Sequence, residues 1–80
     1  GLYQYEKVHV LDVSNGARVE TYVIKAPKNS QEICINGAAA HLVKPKDTII
    51  IVSYCLIKED NLSAHTPKIL KVNNNNKIID

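Results

Sequence analysis

The sequence predicts a mainly β protein, and three observations carry the prediction. Runs rich in β-branched residues recur at short intervals, turn-forming residues separate them, and no stretch is long and periodic enough for an extended helix. Asn15-Gly16, set between two alternating apolar runs, is the strongest of the turn signals. Its expected form is a tight type I′ turn with positive φ at both positions, pairing residues 7–13 with 18–25.

The first strand is expected over residues 6–13 and the second over 18–26. A side-chain period of two puts Arg18, Glu20, Tyr22 and Ile24 on one face of the second strand and Val19, Thr21 and Val23 on the other. Thr21 and Tyr22 therefore point opposite ways. Residues 27–30 make a connection and 31–35 a third strand. Side chains then almost vanish in Asn36-Gly37-Ala38-Ala39-Ala40-His41, a stretch with two readings. It is either a helix start capped by Asn36, or a place where bare backbone N–H groups meet an anion such as a carboxylate. Residues 38–43 suit one helical turn, which Pro45 stops.

The fourth strand is expected over residues 48–56. Thr48-Ile49-Ile50-Ile51-Val52 is apolar without alternation, which predicts a strand covered on both sides, in a barrel or beneath a subunit contact. A second short helical piece is expected over 59–64, a fifth strand over 68–72, and a polar turn over 73–76 with weak order beyond it. Cys34 and Cys55 lie in apolar runs and are expected to be small buried side chains. His9 is expected on a strand face and His65 in solvent, and the three histidines have no metal-ligand spacing, so no metal is expected.

A net charge of +2 with 22% charged residues argues against nucleic acid or a membrane surface as partner. No apolar run reaches the roughly 18 residues needed to span a bilayer, and the first ten residues lack a secretory pattern, so the expected location is the cytoplasm. Eighty residues form a single small domain, 1–80, with a modest core, for which assembly is the usual remedy. The chain has no methionine, so Gly1 is not expected to be a translation start, and a segment upstream is expected.

Asn15-Gly16-Ala17-Arg18, then Thr21-Tyr22, then Asn36-Gly37-Ala38-Ala39-Ala40 resemble, in order and spacing, the aspartate 1-decarboxylases. The resemblance runs to about Tyr54 and is looser beyond, so residues after it receive no role. It implies a double-psi β-barrel with one or two helical turns, assembled as a homotetramer with active sites where subunits meet. It also implies decarboxylation of L-aspartate to β-alanine for pantothenate and coenzyme A synthesis. In that family a precursor cuts itself at a Gly-Ser bond, leaving a small amino-terminal fragment and a covalent pyruvoyl group. No Gly-Ser pair occurs here, so the resemblance places the bond, the fragment and its basic residues upstream.

By the same resemblance Tyr22 is the catalytic proton donor, as suits a phenol protonated at neutral pH. Arg18 grips a substrate carboxylate through its planar fork of donors. Thr21 contacts substrate and assists self-cleavage, Gly37, Ala38 and Ala39 bind substrate through their backbone, and Asn36 lies near the cleavage site. Read without the resemblance, Arg18 is a surface residue beside a turn, loosely paired with Glu20; Tyr22 is a half-buried strand tyrosine, and Thr21 needs no explanation. Arg18 and Tyr22 are four residues apart, roughly 13 Å along a strand, so the spacing favours service to different sites across an interface. Lys46-Asp47 stands where relatives commonly have Gly-Asp, and Val19 replaces a common phenylalanine. The competing reading is a non-catalytic double-psi barrel that binds a partner or builds an assembly, discriminated by a pyruvoyl-blocked terminus; a DNA-binding barrel has no basic stripe to support it.

Overall fold

The computed structural model describes residues 1–79. Five strands, β1 (Lys7–Asp12), β2 (Arg18–Tyr22), β3 (Ile49–Val52), β4 (Lys71–Val72) and β5 (Ile78–Ile79), alternate with two 3₁₀ turns, Gly37–His41 and Glu59–Ala64. The mainly β prediction with two short helical turns holds. β1 lies between β2 and β3 in an antiparallel sheet, β4 pairs with β5 in a separate hairpin, and the described strands do not close into a barrel.

Register divides the sheet into two faces. Lys7 opposes Tyr22, Val8 opposes Thr21, His9 opposes Glu20, Val10 opposes Val19, and Leu11 opposes Arg18. On the other side Val10 opposes Ile51 and Asp12 opposes Ile49. Val8, Val10 and Asp12 are buried on one face, and Val43, just past the first helical turn, completes the small core. Lys7, His9 and Leu11 look the other way, beside Tyr22, Glu20 and Arg18.

The hairpin forms, but not with a type I′ turn. Gly16 donates its N–H to the Asp12 carbonyl (2.8 Å) and Asp12 donates to the Ala17 carbonyl (2.8 Å), enclosing a four-residue loop in which only Gly16 has positive φ, +80°. The Asp12 carboxylate decides this, since its Oδ1 accepts the N–H groups of Ser14 (2.8 Å) and Asn15 (3.2 Å) and stabilises a wider loop.

Strand ends fall where partners stop. Pairing along residues 18–26 continues one step past Tyr22, through Val23 N–H to the Glu6 carbonyl (3.0 Å) and Tyr5 N–H to the Val23 carbonyl (2.7 Å). Tyr5 then turns to φ +69°, and residues 24–26 lose their neighbour. Residues 31–35, expected as a strand, are assigned to none, because no ladder reaches them. The strand expected over 48–56 is paired only over Ile49–Val52, as the edge of the sheet. Ile50 and Ile51 are exposed, which corrects the expectation of a strand covered on both sides within this chain. Cys34 and Cys55 are exposed rather than buried for the same reason: their segments lack a neighbouring strand. The polar turn at 73–76 forms, with Asn73 N–H donating to the Lys77 carbonyl (2.9 Å), and the segment after it is the unexpected β5. No helix of the described residues is long and apolar enough to cross a membrane.

Candidate active site

β2 is one of the two edge strands of the three-stranded sheet, and it lines a cleft of about 780 Å³. Thr21 and Tyr22 of β2 line the cleft, together with Asn36, Gly37, Ala38 and Ala39. Val8, Val10 and Val43 line it too, so the cleft opens from the core face of the sheet. Thr21 belongs to that face, half-buried like Val19 and Val23, whereas Tyr22 is 55% exposed and also borders the cleft. The Tyr5 ring stands beside that of Tyr22, with centroids 6.3 Å apart. The opposed directions expected for Thr21 and Tyr22 are what the alternation delivers.

The Gly37–Ala39 segment owes its shape to the missing side chains. Gly37 takes φ +63°, where a β-carbon would be strained, and starts a tight turn. Asn36 occupies the capping position but makes no side-chain cap bond, so its carboxamide is not spent on the turn. The leading N–H groups of a 3₁₀ turn have no partner within it. Donors from the peptide backbone and from Asn36 therefore border a space that also holds a hydroxyl and a phenol. Such a set binds a carbonyl or carboxylate oxygen. Small oxo groups, a keto acid terminus among them, fit that chemistry.

Arg18 does not line the cleft. It starts β2 opposite Leu11, exposed, on the outer face with Glu20 and Tyr22. Between Arg18 and Tyr22 lies a charge cluster: Lys7 Nζ is 2.6 Å from Glu20 Oε1, and His9 Nε2 is 3.8 Å from the same oxygen. The hydrogen bond from Lys7, then its charge, holds the Glu20 carboxyl below its ordinary range. His9 meets Tyr54 edge to face at 5.4 Å, in keeping with its expected place on a strand face.

The contacts that brace the cleft were not foreseen in the sequence, although Asn15 stood out there as a turn residue. Asn15 Nδ2 donates to the Leu42 carbonyl (2.8 Å) at the end of the helical turn, and Ser14 Oγ accepts the Thr48 N–H (3.0 Å) at the start of β3. Asp12 is 2% exposed; burial pushes its carboxyl up, and the adjoining Asp47 carboxyl pushes it further, against the N–H groups of Asn15 and Ser14. Asp47 itself is held low by the neighbouring Asp12 carboxyl and by the Lys44 N–H at 2.9 Å. An acidic residue leading into Ser-Asn-Gly was the available signal, since aspartate commonly caps its own turn.

The sequence profile of a family described as aspartate decarboxylase matches residues 1–79. The chain is 51% identical over 79 residues to an aspartate 1-decarboxylase of Caldicellulosiruptor bescii and 47% identical over 79 residues to one of Halalkalibacterium halodurans. In both cases 99% of this chain is covered and 62% of the relative. A 40% identical aspartate 1-decarboxylase of Rhodopirellula baltica covers 96% of the chain, which spans 49% of that protein. The chain thus spans less than two thirds of the length of the relatives it matches.

Proposed function

The chain belongs to the aspartate decarboxylase family, and we propose that it is the carboxyl-terminal part of a self-processed, pyruvoyl-dependent enzyme that converts L-aspartate to β-alanine and carbon dioxide for pantothenate synthesis. One juxtaposition supports the reading: Thr21 and Tyr22 line the same cleft as Asn36, Gly37, Ala38 and Ala39. No observation favours the non-catalytic alternative.

Decarboxylation of an α-amino acid needs an electron sink that no ordinary side chain provides, and a pyruvoyl group supplies one when bound. Its source is the precursor segment outside this sequence, which holds no Gly-Ser pair. The work of this chain is binding, orientation and proton delivery. Backbone N–H groups of Gly37, Ala38 and Ala39 hold a substrate oxygen and offset the negative charge that develops as carbon dioxide leaves. Asn36 and the Thr21 hydroxyl orient the reacting end and, in the precursor, the bond to be cut. Tyr22 holds its proton on Oη and gives it to the carbon that lost the carboxylate. Arg18 grips the side-chain carboxylate of aspartate, which sets preference for a diacid. Its place on the outer face supports service to a neighbouring subunit's site, within a homotetramer that also holds the small amino-terminal fragment.

In the complete processed protein, Tyr22→Phe is expected to leave self-cleavage intact and to lower kcat by about 10²- to 10⁴-fold, the usual worth of a positioned proton donor. Arg18→Ala is expected to raise KM for L-aspartate by roughly 10- to 100-fold with less effect on kcat. Steady-state rates for the two variants decide it. Wild-type turnover by Tyr22→Phe would remove the proton-donor role.

A further inference from the structure

Asn15 precedes Gly16 in a pattern that sequence reasoning explains by positive φ, yet Asn15 does not adopt it; only Gly16 does. The residue type needs another reason, and its side chain gives one. Oδ1 accepts the Ala17 N–H at 2.8 Å, which fixes the loop just before Arg18. That bond also settles which end of the amide is which, because the reversed amide would set a donor against the Ala17 N–H and an acceptor against a carbonyl. Nδ2 is then free to donate across 27 residues of sequence to the Leu42 carbonyl, also at 2.8 Å. Leu42 ends the Gly37–His41 turn, where carbonyls lack partners within the helix. The loop is itself anchored to β3, through Val13 N–H to the Thr48 carbonyl (2.8 Å) and Thr48 N–H to Ser14 Oγ (3.0 Å).

The geometry points to Asn15 as a positioning residue: one carboxamide ties the turn that presents the Gly37–Ala39 backbone donors to the loop that starts the Arg18 strand. It touches no substrate. Its effect is on where two binding segments stand relative to each other, so the inference rests on the function proposed above for those segments. Both bonds are exposed, so the tie contributes geometry more than stability.

Two substitutions separate the tie from the turn. Asn15→Asp and Asn15→Ser each keep an oxygen able to accept the Ala17 N–H, while neither can donate to Leu42: the first has no amide and the second is too short. Serine adds no charge, so agreement between the two excludes repulsion of an anionic substrate as the cause. In the complete processed protein, both variants are expected to raise KM for L-aspartate about fivefold, the worth of one neutral hydrogen bond, with kcat within about twofold. A merely structural role would lower the active fraction, and with it apparent kcat, at unchanged KM. Hydrogen exchange on the same proteins is expected to quicken in residues 37–43 and not in β1. Unchanged KM in both variants, or unchanged exchange in residues 37–43, overturns the inference. If the unsubstituted protein makes no β-alanine, the functional reading fails while exchange still decides whether Asn15 holds the turn.

Discussion

Lys46 holds φ at +73°, a conformation that costs a residue with a β-carbon about 1 kcal/mol and costs glycine nothing steric. Lys46→Gly is therefore expected to stabilise the fold by up to about 0.5 kcal/mol after the extra chain entropy of glycine is counted, read as a higher urea midpoint. Asp12 makes a pH-dependent prediction. Its folded pKa lies above the ordinary 3.8, so the stability it contributes as a neutral carboxyl is present below 3.8 and lost as pH rises through the raised value. Asp12→Asn keeps an acceptor for Ser14 and Asn15 and remains neutral, so it is expected to raise Tm at pH 7, with the gain shrinking as pH falls through the raised value and gone below 3.8. A lower Tm at pH 7 would contradict the account. Glu20 behaves oppositely: held low by Lys7, it stabilises above its ordinary 4.5 and loses that contribution as pH falls through the depressed value, a loss that Lys7→Met should flatten. At this scale the alternation of Arg18, Thr21 and Tyr22 was legible in the sequence, because it needs only the period of a strand. The bond from Asn15 to Leu42 was not, since it spans 27 residues and depends on how the chain returns.

Elements were legible where the sequence holds both members of a pair. Both helical turns and the turn at 73–76 form within a residue or two of expectation through local hydrogen bonds, and the β1–β2 hairpin forms in the expected place with its second strand four residues shorter than expected and a wider loop. Residues 31–35 carry the same alternation as β2 and yet gain no ladder, because apolar periodicity reports a capacity for pairing and not the presence of a partner. Central packing sets the stability of the sheet. Val10 is buried between Val19 and Ile51, so Val10→Ala is expected to cost about 2 kcal/mol in denaturant unfolding, whereas Ile50→Ala, at an exposed edge position, should cost well under 1 kcal/mol in this chain. Equal losses at the two positions would mean that the core lies elsewhere.

At the largest scale Ile24, Ile33, Ile50 and Leu56 are exposed to water. That surface, the unpaired edge of β2 and the placement of Arg18 outside the cleft fit a chain that completes its site through other chains. Family likeness made the cleft residues legible in sequence; it did not reveal that the sheet separates Arg18 from Thr21. If neighbouring subunits share a site, assemblies mixed from Arg18→Ala and Tyr22→Phe subunits should exceed, at low L-aspartate, the rate of either variant alone. The central claim meets its most direct test in β-alanine formation from L-aspartate by the complete, self-processed protein. The account predicts steady production that Tyr22→Phe slows by about 10²-fold or more while processing proceeds normally. A fully processed protein that forms no β-alanine, or one that forms it as fast without the Tyr22 hydroxyl, would contradict it.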